Sequence, residues 1–311
     1  MLDPPPPMSL LDPETCGEDH AFNLLQATTL AQSVCKGCAD YHTTLPIGRL
    51  TRQAVWQRGS RRALVEALRR ILVGRSPTSD QPLDIVIAGA GDTSILSTSA
   101  HAVAVAGGTR LGGTRFTVLD RCGTPLALCR SFGTRHAILV VTHMVDLTED
   151  GSSFPADIIV AHNFLPFLPP NTHANALRRW GGWLKPGGRI VLWNEISRPT
   201  GEARRTGRRR NAAAARALIA AGKVVVGEPE TVFFRRLERY AEESPHRPGD
   251  PNFANMHAFT LLVEASGLQI VSAEQFSTND SLDEAEVSRR VSVLALLAMS
   301  PSNRRTATRP L

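Results

Sequence analysis

A short apolar run, Asp84 to Ala88, ends in Gly89-Ala90-Gly91, and a helix of small residues starts near Ser94. Glycines suit such a turn because it is tight and because a side chain there would hold a ligand away from the backbone. The helix N-terminus beyond it offers free N–H groups and the positive end of a dipole, which suits a phosphate or a carboxylate. The dinucleotide fingerprint asks for a glycine three residues after the second one and an acid about 20 residues further on. Here the first position is Ser94, and Asp120 stands 29 residues after Gly91 (120 − 91). Asp120 and Asp146 close two later apolar runs, and by spacing each reads equally as a ligand-binding acid or a solvated strand end. His162, Asn163, Asn194 and Glu195 stand where two further runs end. His162 titrates near neutrality and could serve as a general base or as a structural hydrogen-bonding group. Upstream, Cys35-Lys36-Gly37-Cys38 is followed by Asp40-Tyr41-His42. With Cys16 or His20 these residues could form a four-ligand zinc set, but a single Cys-x-x-Cys without a second pair reads as metal-free, and no metal is expected.

These groups are positioned by alternating strands and helices. Strands are expected over Asp84–Ala88, Phe116–Leu119, Ile138–Val145, Asp157–Ala161, Arg189–Trp193, Leu268–Val271 and Val291–Ala298, and helices over Ser94–Ala106, Thr172–Trp183, Thr231–Glu242 and Met256–Ala265. The strands are continuously apolar, as strands buried on both faces must be. The expected fold is therefore α/β, a Rossmann-like, doubly wound, mostly parallel seven-stranded sheet with helices on both faces. Residues 1–20 are Pro-rich and acidic and expected to be poorly ordered. Residues 21–80 read as a helical cap, with a helix that starts after Ser60, carries Leu64, Leu68, Ile71 and Leu72 on one face, and ends at Gly74 before a linker at Pro77–Pro82. Residues 81–300 form the core, interrupted by an insertion at 198–254, and 301–311 a frayed tail.

In this order the motifs resemble those of the class I S-adenosylmethionine-dependent methyltransferases. Asp84-Ile85-Val86-Ile87-Ala88-Gly89-Ala90-Gly91-Asp92 is similar to the family's glycine-rich first motif, with Ile87 where an acid is frequent and Thr93 where a third glycine stands. Phe116-Thr117-Val118-Leu119-Asp120 resembles the second strand, and Ala156-Asp157-Ile158-Ile159-Val160-Ala161-His162-Asn163 the fourth. Leu184-Lys185-Pro186-Gly187-Gly188-Arg189-Ile190-Val191-Leu192 is similar to the turn before the fifth strand and is the most specific of these likenesses. Leu262 to Val271 resembles the last helix and penultimate strand. The resemblance spans roughly 82–197 and 255–299. It implies S-adenosylmethionine as cofactor, bound by Gly89, Ala90, Gly91, Asp92, Asp120 (ribose), Asp146 (adenine), His162 and Asn163. It implies a transfer site where His162 and Glu195 could act on the acceptor, with Tyr41, His42 and Asn194 near it. The insertion is expected to shape the acceptor pocket.

The segment His162-Asn163-Phe164-Leu165-Pro166-Phe167 lacks the Asn/Asp-Pro-Pro-aromatic motif of enzymes that methylate base amines. The formal net charge of +6 is carried mostly by arginines, clustered at Arg61, Arg62, Arg69 and Arg70 and at Arg204, Arg205, Arg208, Arg209 and Arg210. These read as solvated faces without interleaved aromatics, so no specific nucleic-acid partner is expected. Five cysteines and no long apolar run point to a reducing cytoplasm and no membrane. The expected activity is methyl transfer to an O or N atom of a small molecule. Two rivals are a catalytically silent methyltransferase-like domain that binds protein or RNA, and a nicotinamide-dependent oxidoreductase.

Overall fold

The computed structural model describes residues 12, 15–35, 37–51, 55–73, 82–107, 111–149, 151–197, 201–243, 253, 255–279 and 289–301. Seven strands, β1 (Leu83–Ala88), β2 (Thr114–Asp120), β3 (Leu139–Met144), β4 (Ala156–His162), β5 (Leu184–Ser197), β6 (Leu268–Asn279) and β7 (Arg289–Met299), build one sheet. Their order is β3-β2-β1-β4-β5-β7-β6. Strands β1 to β5 are parallel, and β7 lies antiparallel between β5 and β6. The chain reverses its direction of travel across the sheet between β1 and β4, and ligands bind such sheets at the carboxyl ends of strands flanking that point.

Each inner strand feeds two cores. Ile85 and Ile87 of β1 pack with Leu64, Leu68 and Leu72 of α3 (Val55–Val73), Leu96 and Val103 of α4 (Ser94–Gly107), and Phe132 of α5 (Gly123–Arg135). Val86 and Ala88 face the opposite way, toward Leu177 and Trp180 of α6 (His173–Trp183) and Phe259 and Val263 of α9 (Met256–Ala265). Period-two alternation with both faces covered explains why β1, β4 and β5 read as unbroken apolar runs. Each such fully buried Leu, Ile or Val contributes about 1.5–3 kcal/mol. Leu184–Gly188, expected as a turn ahead of a strand at Arg189–Trp193, forms the first part of β5, with a register irregularity against β4 between Ala156 and Ile158. Lys185 donates to Asp84 at 2.6 Å and Asp157 at 2.9 Å, tying together the starting ends of β1 and β4, far from the carboxyl edge.

The cap is built from two separated pieces of chain. α1 (His20–Val34) and α2 (Ala39–Leu50) pack with α7 (Gly201–Ala220) and α8 (Glu230–Glu243) around Leu24, Ile47, Ala215, Val224, Phe233 and Leu237. Helix α3, placed in the cap by the sequence, belongs to the sheet's own covering layer instead. It starts at Val55, so Ser60 lies inside it and is buried rather than capping it. Gly74, residues 77–81 of the linker and most of the tail lie outside the described residues.

Two further expectations are corrected. Within the acidic N-terminus, Cys16 and Glu18 are buried in the core despite the Pro-rich composition around them. The basic stretch is a helix rather than an exposed loop, and two of its arginines meet α8: Arg208 donates to the Tyr240 carbonyl at 2.7 Å, and Arg209, exposed as expected, grips Glu242 at 2.9 and 3.1 Å; further along the helix Arg216 pairs with Glu238. Arg62, Arg69 and Arg70 are exposed as expected, but Arg61 is buried. Among the described residues no helix is long and apolar enough to cross a membrane.

Candidate functional site

A cavity of about 410 Å³ opens along the carboxyl edge where β1 and β4 part. That volume lies within the usual ~300–1,000 Å³ of small-molecule sites. Its described lining brings together Gly89, Ala90, Gly91, Asp92, Asp120, Asp146, His162, Asn163, Tyr41 and His42, which stand far apart in the sequence. Asn194 and Glu195, placed by the sequence at the acceptor, are absent from the lining and almost fully buried.

The glycine-rich turn is shaped from three sides. Gly89 has φ +78° and Gly91 φ +35°, conformations that favour glycine. A Cβ at Gly89 would overlap the Phe164 ring, so the bareness of this position admits an aromatic of the chain itself as well as a ligand. The Gly89 N–H donates to the Leu119 carbonyl at 2.9 Å, and the Ala90 N–H to Asp120 Oδ2 at 3.0 Å. Asp92 does not reach out to a ligand. Its carboxylate takes a bidentate grip from Arg49 at 2.9 and 3.1 Å and the Ser94 N–H at 2.9 Å, fixing the start of α4.

Thr93, where the family pattern has a glycine, is the hinge pin of a buried network. Its hydroxyl donates to Glu18 at 2.6 Å and accepts from Asn23 at 2.8 Å. Glu18 pairs with Arg61 and lies 3.9 Å from Arg49. Burial pushes the Glu18 carboxyl up, yet the charges of Arg49 and Arg61 hold it at about 2. The N-terminal segment, α1, α2 and α3 are thereby fastened to the turn. Sequence reasoning missed Glu18, Arg49 and Arg61. One signal was present: Arg61 falls on the same face of α3 as Leu64, Leu68 and Leu72, and an arginine within an apolar stripe calls for a buried acid.

Asp120 closes β2 with Oδ2 toward Ala90 and Oδ1 accepting the Cys122 N–H at 2.8 Å. Each carboxylate oxygen retains a second lone pair for a hydroxyl donor. Burial raises its pKa, against the opposing pull of the Cys122 N–H and of His42. Asp146 follows β3, accepts the Thr148 N–H at 2.8 Å and hydroxyl at 2.6 Å, and is held low chiefly by that hydroxyl.

After β4 the chain turns sharply. Asn163 has φ +49°, a left-handed conformation uncommon outside glycine, and its amide is locked to Glu195: Nδ2 donates to Oε1 at 3.2 Å and Oδ1 accepts the Glu195 N–H at 2.9 Å. This lock presents Phe164 over Gly89. Glu195 is therefore a positioning residue for the turn, and Asn194, donating to the Glu195 carbonyl at 2.9 Å, is part of its backing. His162 stacks on Trp193 with ring centroids 5.9 Å apart, and its Nε2 lies 3.3 Å from Ser60 Oγ. His42 is buried, with Nδ1 donating to the Gly91 carbonyl at 2.8 Å, so it is a strut beneath the turn rather than a residue of the pocket mouth. Tyr41 packs edge-on against Phe167 at 5.6 Å and reaches Tyr240 of α8 at 6.3 Å. The insertion thus supports the pocket wall through Tyr41 but supplies no described lining residue.

The sheet order with antiparallel β7 is the class I methyltransferase fold. No protein-family model matches the chain, and no curated protein does. Solved structures do, several methyltransferases among them. Magnesium protoporphyrin IX methyltransferase from Synechocystis PCC 6803, with bound S-adenosylhomocysteine, is 12% identical over 81% of this chain and 85% of its own, with a TM-score of 0.44. The N-methyltransferase NodS from Bradyrhizobium japonicum WM9 is 16% identical over 77% and 87%, with a TM-score of 0.38. LepI, solved with S-adenosylmethionine, is 11% identical over 75% of this chain, which spans 46% of LepI, with a TM-score of 0.44. The ligands in their names belong to those proteins.

Proposed function

We propose that the chain transfers a methyl group from S-adenosylmethionine to an O or N atom of a small molecule. The observation that carries this reading is the convergence of the Gly89–Gly91 turn, Asp120, Asp146 and the Asn163–Phe164 turn on one cavity at the sheet's switch point. The residues fit the cofactor's parts. Asp120 offers free lone pairs to a ribose diol. The apolar edge at Val145 and Leu147 suits a flat base.

When bound, the cofactor supplies an activated methyl on a sulfonium, so the protein's work is alignment and exclusion of water. Phe164, Phe167, Leu168 and Tyr41 line the cavity and admit an apolar acceptor. His162, at the end of β4, takes the proton from an acceptor that must lose one. Ser60 and the Trp193 ring orient its imidazole. A small-molecule acceptor is favoured over a nucleic acid because Arg208, Arg209 and Arg216 are engaged by α8.

Native mass spectrometry of freshly purified chain tests the reading. The expected spectrum contains protein with one S-adenosylmethionine or S-adenosylhomocysteine, or gains it on addition of either. A folded protein that takes up neither, and takes up a nicotinamide dinucleotide instead, would overturn it.

A further inference from the structure

Three of the five cysteines converge from distant places in the chain. Cys35 ends α1, Cys38 stands at the N-cap of α2 without making a side-chain cap, and Cys122 is the N-cap residue of α5, just beyond Asp120. The sulfurs of Cys35 and Cys122 are 3.2 Å apart, and those of Cys38 and Cys122 3.4 Å. His42, one turn into α2, brings a ring nitrogen to the same point, and all four ligand atoms lie within 4.8 Å of one another. Cys16 and His20 are elsewhere: Cys16 interacts with Arg61, and His20 lies 3.9 Å from Glu18.

We propose that Cys35, Cys38, His42 and Cys122 hold a structural zinc ion that pins the helical cap to the cofactor turn. This reverses the expectation of no metal drawn from the Cys-x-x-Cys alone. A tetrahedral zinc with zinc–sulfur bonds of about 2.3 Å needs sulfurs about 3.8 Å apart, so small outward shifts of these side chains admit it. Four protein ligands close the coordination shell, as structural rather than catalytic zinc sites do. The surroundings are those of a ligand set. His42 donates Nδ1–H to the Gly91 carbonyl, which fixes the tautomer and leaves Nε2 for the metal. The Thr124 hydroxyl lies 2.8 Å from the Cys35 sulfur. Cys38 and Cys122 sit at helix N-termini, where the dipole favours thiolate. On binding, three S–H groups release their protons to solvent, three S–Zn bonds and one N–Zn bond form, and nothing is oxidised or reduced.

The ion's place gives it a structural consequence. His42 holds the glycine-rich turn through Gly91, and the Cys122 N–H holds Asp120. The metal would join the ends of α1 and α2 to both, so cap and turn would be fixed together.

The proposal stands whether or not the chain transfers methyl groups, and metal content tests it. The full chain is purified with reductant and without chelator or added metal, and zinc is measured by inductively coupled plasma mass spectrometry beside a thiol titration. The expected result is about one zinc per chain, with Cys35, Cys38 and Cys122 shielded from thiol reagent until the metal is removed. Exchange with cobalt should give the intense d–d and thiolate charge-transfer bands of a tetrahedral, sulfur-rich site. Cys35→Ser and Cys122→Ser should each lower zinc well below one equivalent. The wild-type measurements stand even if those variants fail to fold. Metal-free protein with Cys35, Cys38 and Cys122 reactive, a mass two hydrogens lighter from a disulfide within the cluster, or iron with acid-labile sulfide would each overturn the proposal.

Discussion

Replacing Glu18 with Gln removes the charge at the centre of the network that joins the N-terminal segment to the glycine-rich turn. The carboxyl ordinarily titrates at 4.5 and in the folded chain at about 2. At about 1.36 kcal/mol per pH unit, that difference is worth about 3 kcal/mol of stability. The independent estimate for breaking one side of a buried ion pair is about 3–5 kcal/mol, because Arg61 would remain buried without its main partner. A depressed carboxylate contributes fully above its unfolded pKa, and the contribution is lost as pH falls through the folded one. Wild-type stability should therefore drop between about pH 4.5 and 2. In Glu18→Gln that part of the slope should vanish, with stability lower by about 3 kcal/mol at pH 7. Urea unfolding across this range reads both quantities. His20 also titrates nearby, with its pKa lowered by burial, so the difference between the two profiles is the informative curve. Parallel profiles, or equal stability at pH 7, would refute the assignment of Glu18 as the buried counter-ion.

Three other perturbations have clear expected outcomes. Gly89→Ala should destabilise the fold by about 1–3 kcal/mol by overpacking against Phe164, and Gly89→Ala/Phe164→Ala should recover part of it; additive losses in denaturant melts would show that the two do not touch. Leu237→Ala, in the shared core of α1, α2, α7 and α8, should cost about 2–5 kcal/mol and expose α7 to limited proteolysis before the sheet unfolds; unaltered cleavage would separate the insertion from the cap. Arg208, Arg209 and Arg210 changed together to Ala should leave the chain's weak association with RNA or DNA at physiological salt unchanged by fluorescence anisotropy, whereas loss of a submicromolar affinity would promote the nucleic-acid reading.

The sequence revealed most where a signal was local. The unbroken apolar runs of β1, β4 and β5 and the glycine-rich turn are short-range patterns, and the structure places them as expected, whereas Leu184–Gly188, read as a turn, is the first part of β5. Helix α9 runs from Met256 to Ala265, the span its pattern indicated. Helix α5 went unread because Gly123, Pro125 and Gly133 obscure a stripe of Leu126, Cys129 and Phe132 that packs on β2 and β3. The Ser60 N-cap failed because the helix runs through Gly59 and buries Ser60 against the pocket, tertiary packing overriding a local preference. What stayed hidden was non-local. Glu18 meets Arg61 across 43 residues, and Cys35 meets Cys122 across 87, separations at which no periodicity speaks. The fused cap was hidden for the same reason, since its two parts are read as a separate N-terminal cap and an insertion until Ile47 is seen against Phe233.

Binding of a cofactor by Asp120 in the cavity at the switch point, as proposed above, is read by titration calorimetry of S-adenosylhomocysteine into wild type and Asp120→Ala. Loss of charge-assisted hydrogen bonds worth about 1.5–3 kcal/mol should weaken binding at least tenfold in the variant, with its unfolding midpoint near that of wild type. One-to-one binding by wild type with that loss is the predicted result. No binding by folded wild type, or equal affinity in the two proteins, would contradict it.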